Sequence, residues 1–174
     1  MRVFLGCCLA LCLAHGTGAQ AGEPATTTEL FRIAGAVEKP GDWSAERLSH
    51  EFRDDVEKIH FTLKGQEGVA RAVKLEKLIR AAAPKLDEAQ KHHLLAFNVV
   101  ARARDGYAVC FSLAEFLPEY GGGQIYVALD VNCKPFADDE QPVRLLVIKD
   151  KRPSRWIYGL RELIVVDGLA AIDK

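Results

Sequence analysis

The sequence lacks an excess of charge of either sign. Its 174 residues include 23 Lys and Arg residues against 24 Asp and Glu residues, a formal net charge of −1 at pH 7. Proteins that bind nucleic acid neutralise phosphates with a basic surface, so this balance does not favour nucleic acid as a partner. Hydrophobic residues form 49% of the chain and charged residues 27%, proportions that are typical of a folded globular protein rather than a disordered one.

Long apolar runs are also missing after residue 21, so only the beginning of the chain is a candidate for membrane insertion. There, Arg2 is the only charge, an apolar run covers residues 3–14, and Ala19-Gln20-Ala21 fits a small-x-small cleavage signal. We predict that residues 1–21 form a signal peptide, because the apolar run is too short to span a bilayer. The mature chain is expected to begin at Gly22 and to be soluble and exported, in the periplasm if the source is a Gram-negative bacterium.

The remaining sequence fits one domain. Residues 22–28 show no periodicity and are expected to be a flexible lead-in. Residues 29–174 are long enough to bury a core without extra crosslinks, and they contain no internal repeat or low-complexity tract. No membrane span is expected after signal cleavage.

Cysteine is scarce in the predicted mature chain. Only Cys110 and Cys133 lie outside the leader. In an oxidising compartment they could form a disulfide, and two separate buried thiols are an equal alternative, because the sequence does not give their distance. Cys110 has no nearby His or Lys in the sequence, so a buried inert thiol or half of a disulfide is favoured over a reactive nucleophile.

The motifs of several enzyme classes are absent. The chain has no Gly-x-Ser-x-Gly sequence of the α/β-hydrolases. The run Gly121-Gly122-Gly123 lacks the Gly-Lys-Ser/Thr continuation of a phosphate-binding loop and is interpreted as a turn. The candidate metal ligands are His60, His92 and His93, with Glu51 or Asp55 as a carboxylate. Their spacing is poor for a metal site, so these histidines are interpreted as structural or surface residues.

Alternating apolar and polar residues predict strands over residues 31–37, 58–64, 94–101, 107–113, 125–131, 143–149 and 160–167. Asp105-Gly106 predicts the tight turn of a β-hairpin between the third and fourth of these strands. Six or seven strands without regular βαβ alternation indicate an α+β fold with mixed or antiparallel sheets.

Three short helices are predicted between these strands. Ser44 is expected to cap a helix over residues 45–53. Leu75, Leu78, Ile79 and Ala82 recur at helical spacing until Pro84. Ser112 and Glu115 fit a capping box for a helix that ends near Pro118.

A basic segment lies between the last two predicted strands. It consists of Lys149, Lys151, Arg152, Ser154, Arg155 and Trp156, with Asp150 lowering its net charge. Arginine binds phosphate or carboxylate with two parallel hydrogen bonds, lysine adds a point charge, and a tryptophan face can stack on a flat ligand. The segment is therefore a candidate oxyanion site, and a solvated basic connection is the alternative.

Several motifs occur in a characteristic order. They are the strand Phe31-Arg32-Ile33-Ala34-Gly35, the helix entry Val73-Lys74-Leu75, the hairpin Asp105-Gly106-Tyr107 with Phe111-Ser112-Leu113, the turn Asn132-Cys133-Lys134-Pro135, the strand Gln141-Pro142-Val143-Arg144 and the closing Arg155-Trp156-Ile157. In this order the sequence resembles the molybdopterin-binding oxidoreductase domain of the sulfite oxidase superfamily, especially its short exported members. The resemblance implies a sulfite-oxidase-type fold and places Lys151, Arg152, Ser154, Arg155 and Trp156 near the cofactor.

One departure from that family affects the expected chemistry. Its enzymes hold molybdenum through one Cys thiolate, placed after the strand that corresponds to Ile59–Leu63 and before the Leu75 helix. Residues 61–68 read Phe-Thr-Leu-Lys-Gly-Gln-Glu-Gly and contain no cysteine. Without that thiolate the metal has no protein sulfur ligand, so no cofactor is expected, although molybdopterin remains possible.

The leading functional hypothesis is therefore an exported, non-catalytic binding protein. Its ligand is expected to be an anionic, pterin-like small molecule or an envelope protein partner. The alternative is a molybdopterin-dependent oxidoreductase that holds its cofactor through the basic segment, residues 149–156.

Overall fold

The computed structural model describes residues 29–170, which form nine strands and three α-helices. The strands are β1 (Phe31–Gly35), β2 (Gly41–Trp43), β3 (Glu57–Leu63), β4 (Gln66–Lys74), β5 (Phe97–Ala103), β6 (Ala108–Ser112), β7 (Ile125–Val131), β8 (Arg144–Val147) and β9 (Leu160–Asp167). The α-helices are α1 (Ala45–Glu51), α2 (Leu75–Ala82) and α3 (Leu113–Phe116). Turns of 3-10 helix cover Arg53–Asp55, His93–Ala96 and Pro153–Arg155. The predicted leader and lead-in lie outside the described residues.

The strands form two sheets. The first has five strands in the order β2-β1-β9-β5-β6, and the pairing of β1 with β9 is its one parallel ladder. The second has four antiparallel strands in the order β3-β4-β7-β8. Mixed and antiparallel sheets with short helices confirm the predicted α+β class.

A single hydrophobic core joins the two sheets and the helices. Helix α2 contributes Leu75, Leu78 and Ile79, all buried, as its helical spacing predicted. Ser44 caps α1 as expected, since its hydroxyl accepts a hydrogen bond from the Arg47 backbone N–H at 3.1 Å. Within residues 29–170, each helix is too short or too polar to span a bilayer.

The sequence missed strand β4. The inward-facing residues of this strand include Gly68, Ala70 and Ala72, which are buried but too small to produce a strong hydrophobic alternation. A register shift between Arg71 and Ala72 also interrupts the period of two. The short strand β2 was not predicted either, so the nine observed strands exceed the six or seven expected.

Two further expectations are wrong. The capping box does not form, because Ser112 makes no side-chain hydrogen bond to α3, and the Glu115 carboxylate binds Arg155 instead. The two cysteines are not buried. Cys110 and Cys133 are both free and exposed, because Cys110 faces outward on β6 and Cys133 lies in the turn after β7.

Candidate functional site

The basic segment, residues 149–156, is a loop that folds back along the strand it follows. It leaves the end of β8, passes through the 3-10 turn Pro153–Arg155 and returns to pair with β8. The return is fixed by two backbone hydrogen bonds between Leu145 and Ile157, of 2.9 and 3.0 Å. The sheet therefore holds both ends of the segment.

Arg155 is neutralised by two carboxylates of the protein. Its Nε and Nη2 atoms donate to the two carboxylate oxygens of Asp150 at 2.7 and 2.6 Å, and its Nη1 donates to Glu115 at 2.6 Å. These bonds raise the pKa of Arg155, and the guanidinium hydrogen bonds lower the pKa of the Asp150 carboxyl. Arg155 ties the segment to α3, so a ligand would have to share a guanidinium that two carboxylates already hold.

Trp156 is the buried side chain of the segment. It is only 6% exposed, and its indole N–H donates to the Val147 carbonyl at 3.0 Å. The indole meets Phe61 of β3 nearly edge to face, with ring centroids 5.3 Å apart. Phe61 in turn lies directly on Gly68, where an added Cβ would be 2.5 Å from Phe61 Cζ. Trp156 therefore joins the basic segment to the paired strands β3 and β4.

The other cations of the segment face solvent. Lys149, Lys151 and Arg152 are exposed, and none forms an ion pair with a carboxylate among residues 29–170. Ser154 is exposed too, and its backbone carbonyl accepts a hydrogen bond from the Tyr107 hydroxyl. This bond links the segment to the β5–β6 hairpin. Of the five predicted site residues, Lys151, Arg152 and Ser154 are accessible, while Arg155 and Trp156 hold the segment in place.

A groove of about 500 Å³ borders the segment at Ile148, the residue before Lys149. Its lining residues are His60, Phe61, Thr62, Glu67, Gly68, Val69, Asn132 and Ile148. The groove is thus lined by both strands of the β3–β4 hairpin, and Phe61, Thr62, Glu67 and Gly68 belong to the region, residues 61–68, that lacks the thiolate of the resembling family. The structure brings this hairpin and the basic segment together, although about 85 residues separate them in the sequence.

The donor atoms of the groove do not fit a molybdenum centre of the family type. They come from an imidazole, a hydroxyl, a carboxylate and an amide, without a thiolate. The Asn132 amide oxygen is also occupied, because it accepts a hydrogen bond from the Val69 N–H at 3.0 Å. Residues 29–170 contain no group of three or more His, Cys, Asp or Glu side chains placed to hold a metal ion.

The three candidate metal-binding histidines do not converge on one site within residues 29–170. His60 lines the groove, His92 is exposed, and His93 is buried. The two His93 ring nitrogens are occupied: Nδ1 accepts from the Asp87 N–H at 2.8 Å, and Nε2 lies 3.1 Å from an Asp167 carboxylate oxygen. His93 therefore holds the loop before β5 against the end of β9, which agrees with its interpretation as a structural residue.

A second cavity, of about 600 Å³, lies between α1, β4 and the turn after β7. Arg71 and Asp130 meet in its wall, with Nε and Oδ2 2.6 Å apart. Glu46, His50 and Cys133 also line this cavity. Because Asp130 neutralises Arg71 and Glu46 adds a negative charge, this cavity attracts anions less than the basic segment does.

The sequence did not identify the residues that organise the site. Glu115, Phe61 and Tyr107 reach the segment from three other elements, and none stands near it in the chain. Only Asp150 carried a signal, as the one acid inside a basic run.

Comparison with known proteins gives information about the fold. No protein-family model matches the sequence, and no curated protein matches it. Among solved structures, the chain is similar to the sulfane dehydrogenase SoxCD from Paracoccus pantotrophus, with a TM-score of 0.58 and 17% sequence identity. The match covers 79% of this chain and 38% of that chain. The predicted α+β fold of the sulfite oxidase type is confirmed, and the similarity at this identity extends to the fold alone.

Proposed function

We propose that this chain is an exported, non-catalytic binding protein that takes an anionic, pterin-like small molecule at the basic segment. The observation that carries the proposal is the division of charge within the segment. Arg155 is bound by Asp150 and Glu115, whereas Lys149, Lys151 and Arg152 remain exposed on a segment that begins next to Ile148 of the groove. Cations fixed on a held loop and free of internal partners can pair with phosphate or carboxylate.

The groove supplies the other half of the ligand chemistry. Phe61 and Ile148 give it an apolar surface, and Thr62 and Glu67 add a hydroxyl and a carboxylate. A flat heterocycle with ring N–H and carbonyl groups can hydrogen-bond to such side chains while its anionic tail reaches Lys151 and Arg152. This arrangement favours a ligand with a neutral ring and a phosphate over a simple inorganic anion.

The absence of catalysis rests on the donor set. A molybdenum centre of the family type does not fit the groove, because the turn that should carry its thiolate has none and because Cys110 and Cys133 lie on other elements. We therefore derive no oxygen-atom transfer for this chain.

Calorimetric titration tests the binding proposal. The probes are a pterin phosphate, the same pterin without phosphate, and inorganic phosphate. In the double variant Lys151→Ala, Arg152→Ala, the affinity for the pterin phosphate should fall roughly tenfold or more, given the strength of charge-assisted hydrogen bonds. The matched control is Lys85→Ala, Lys91→Ala, which removes two exposed lysines from another surface.

Three results would overturn the proposal. The first is equal binding of the pterin phosphate by both double variants, and the second is no binding by the wild type; co-purification would then test for an envelope protein partner. The third is stoichiometric molybdenum in protein purified from its native host, which would support the oxidoreductase alternative.

A further inference from the structure

The two sheets have four edge strands, and three of them are protected against pairing with another chain. Strand β2 is only three residues long, and its Asp42 carbonyl accepts a hydrogen bond from Arg47. Strand β3 presents the exposed side chains of Lys58 and His60. Strand β8 is covered at Leu145 by its pairing with Ile157. Short length, charge and a covering loop are the usual ways to block edge-to-edge association.

The fourth edge strand, β6, has none of these protections. From Tyr107 to Leu113 the chain contains no charged residue and no proline. Its ladder with β5 is regular over all five residues, without a bulge. The outward-facing side chains are Ala108, Cys110 and Ser112, which are small and exposed. The edge is therefore flat, uncharged and open.

The hydrogen-bond pattern shows which backbone groups this edge offers. The Ala103 N–H donates to the Tyr107 carbonyl at 2.8 Å, so Tyr107 faces β5. Because the direction alternates along an antiparallel strand, residues 109 and 111 also face β5. The N–H and C=O groups of Ala108 and Cys110 and the N–H of Ser112 point away from the sheet, while the Ser112 carbonyl begins the hydrogen bonding of α3. Ala108 and Ser112 are each two residues from Cys110, on opposite sides of it.

That spacing makes the edge self-complementary. An antiparallel copy related by a two-fold axis at Cys110 places residue 108 opposite residue 112 of the copy and brings the two Cys110 residues together. The central Cys110 pair exchanges two hydrogen bonds and each 108–112 pair forms one, about four in total, with facing Cα atoms about 5.5 Å apart. The small side chains leave room for this approach.

The face of the sheet supports the same arrangement. Ala34, Ile164, Val100 and Cys110 lie side by side on four neighbouring strands, in register. Their side chains form an apolar row that ends at the open edge. A two-fold axis at Cys110 would join this row to its counterpart in a second copy, so that it runs without a break across eight strands of a ten-stranded sheet.

We propose that strand β6 is a homodimerisation edge, through which two copies of this chain pair antiparallel about Cys110. The paired strands are short, so the buried area falls below that of a standard stable interface. The dimer is therefore weak and reversible, and its population depends on protein concentration. This proposal is independent of ligand binding at the basic segment.

Sedimentation equilibrium on the purified protein, from about 10 μM to about 1 mM, covers the range of weak association. The wild type should show a dimer fraction that rises with concentration. Cys110→Asp should raise the dissociation constant roughly tenfold or more, because it places two like charges opposite each other at the axis. Cys133→Asp is the matched control, since it changes the other exposed cysteine and should leave association unchanged.

Thiol crosslinking gives a second, independent measurement. A short bismaleimide should produce covalent dimers in the wild type and in Cys133→Ser, but not in Cys110→Ser. A wild type that stays monomeric to about 1 mM would overturn the proposal, given that weak dimers associate in this range. Undiminished association of Cys110→Asp, or crosslinks that require Cys133 instead, would overturn it as well.

Discussion

Both halves of the basic segment contain basic residues, but these residues differ in the contacts that they make. The inner half, Asp150, Arg155 and Trp156, is bound to β8, α3 and β3 through ion pairs, an indole hydrogen bond and a ring contact. The outer half, Lys149, Lys151 and Arg152, faces solvent, and none of its side chains has an ion-pair partner in the part of the chain that the structure describes. The difference shows that a cation is available to a ligand only when the fold has not already neutralised it. A count of the basic residues in the sequence therefore overestimates the number of cations that can bind a ligand.

The strongest test of the inner half is Trp156→Ala. The substitution removes a buried indole, its hydrogen bond to Val147 and its contact with Phe61. Its cost in the free energy of unfolding should be about 3–5 kcal/mol, as for other buried aromatic residues. Denaturant unfolding measures this, with Lys149→Ala as the control in the same loop. A loss similar to that of the control would mean that Trp156 does not anchor the segment.

A smaller effect is expected for Gly68→Ala. The new methyl group would meet the Phe61 ring that backs Trp156, and the ring has to move to admit it. Overpacking of this kind costs about 1–3 kcal/mol. The double variant Gly68→Ala, Phe61→Leu should recover part of this loss, since the smaller side chain frees the space. Unfolding curves for both variants check the contact, and additive losses would show that the two residues do not interact.

Arg155→Ala should cost less, about 1–2 kcal/mol at pH 7. Its hydrogen bonds join charged groups, but the side chain is 36% exposed, and solvent screening reduces their contribution. The pKa of Asp150 is lowered in the folded state by Arg155, so this stability is present above the usual carboxyl range and is lost as the pH falls through the lowered value.

The difference between the wild type and Arg155→Ala should therefore shrink as the pH falls below about 4. Unfolding at several pH values measures the trend, with Arg152→Ala as the control. A difference that stays constant down to about pH 2 would place the effect of Arg155 in packing rather than in its ion pairs.

The smallest change in stability is expected for Lys151→Ala, Arg152→Ala. Neither side chain has an ion-pair partner among residues 29–170, so the free energy of unfolding should change by less than about 0.5 kcal/mol. This variant separates the halves most clearly, because it should weaken binding of the pterin phosphate without weakening the fold. Thermal unfolding is sufficient to check it, and a clear drop in the midpoint would show that the outer half is structural too.

The sequence predicted those elements whose signal is local. The β5–β6 hairpin followed from Asp105-Gly106 between alternating residues, and α2 followed from apolar residues at helical spacing. Strand β4 was missed because its buried positions carry glycine and alanine, which bury surface without a hydrophobic pattern. A buried strand could be predicted from the sequence only where its buried side chains were large enough to give a hydrophobic alternation.

The site was harder to predict, because its contacts join distant positions. Ser112 and Glu115 have the spacing of a capping box, yet Glu115 binds a guanidinium 40 residues further along the chain. Glu115 forms the charge-assisted hydrogen bond to Arg155 instead of the local capping-box hydrogen bond, because the charge-assisted bond is the stronger of the two. The basic segment itself was found from composition, but its division into bound and free cations depends on partners that only the tertiary fold supplies.

Strand β9 occupies a central place in the larger sheet. It lies between β1 and β5, and it meets β1 across a sequence separation of about 130 residues. Strand β1 thus has no parallel neighbour until the ribosome has made β9. Contacts so distant in sequence form late and slowly. The larger sheet cannot close before β9 emerges, so one edge of β1 stays unpaired while the intervening strands and helices are synthesised.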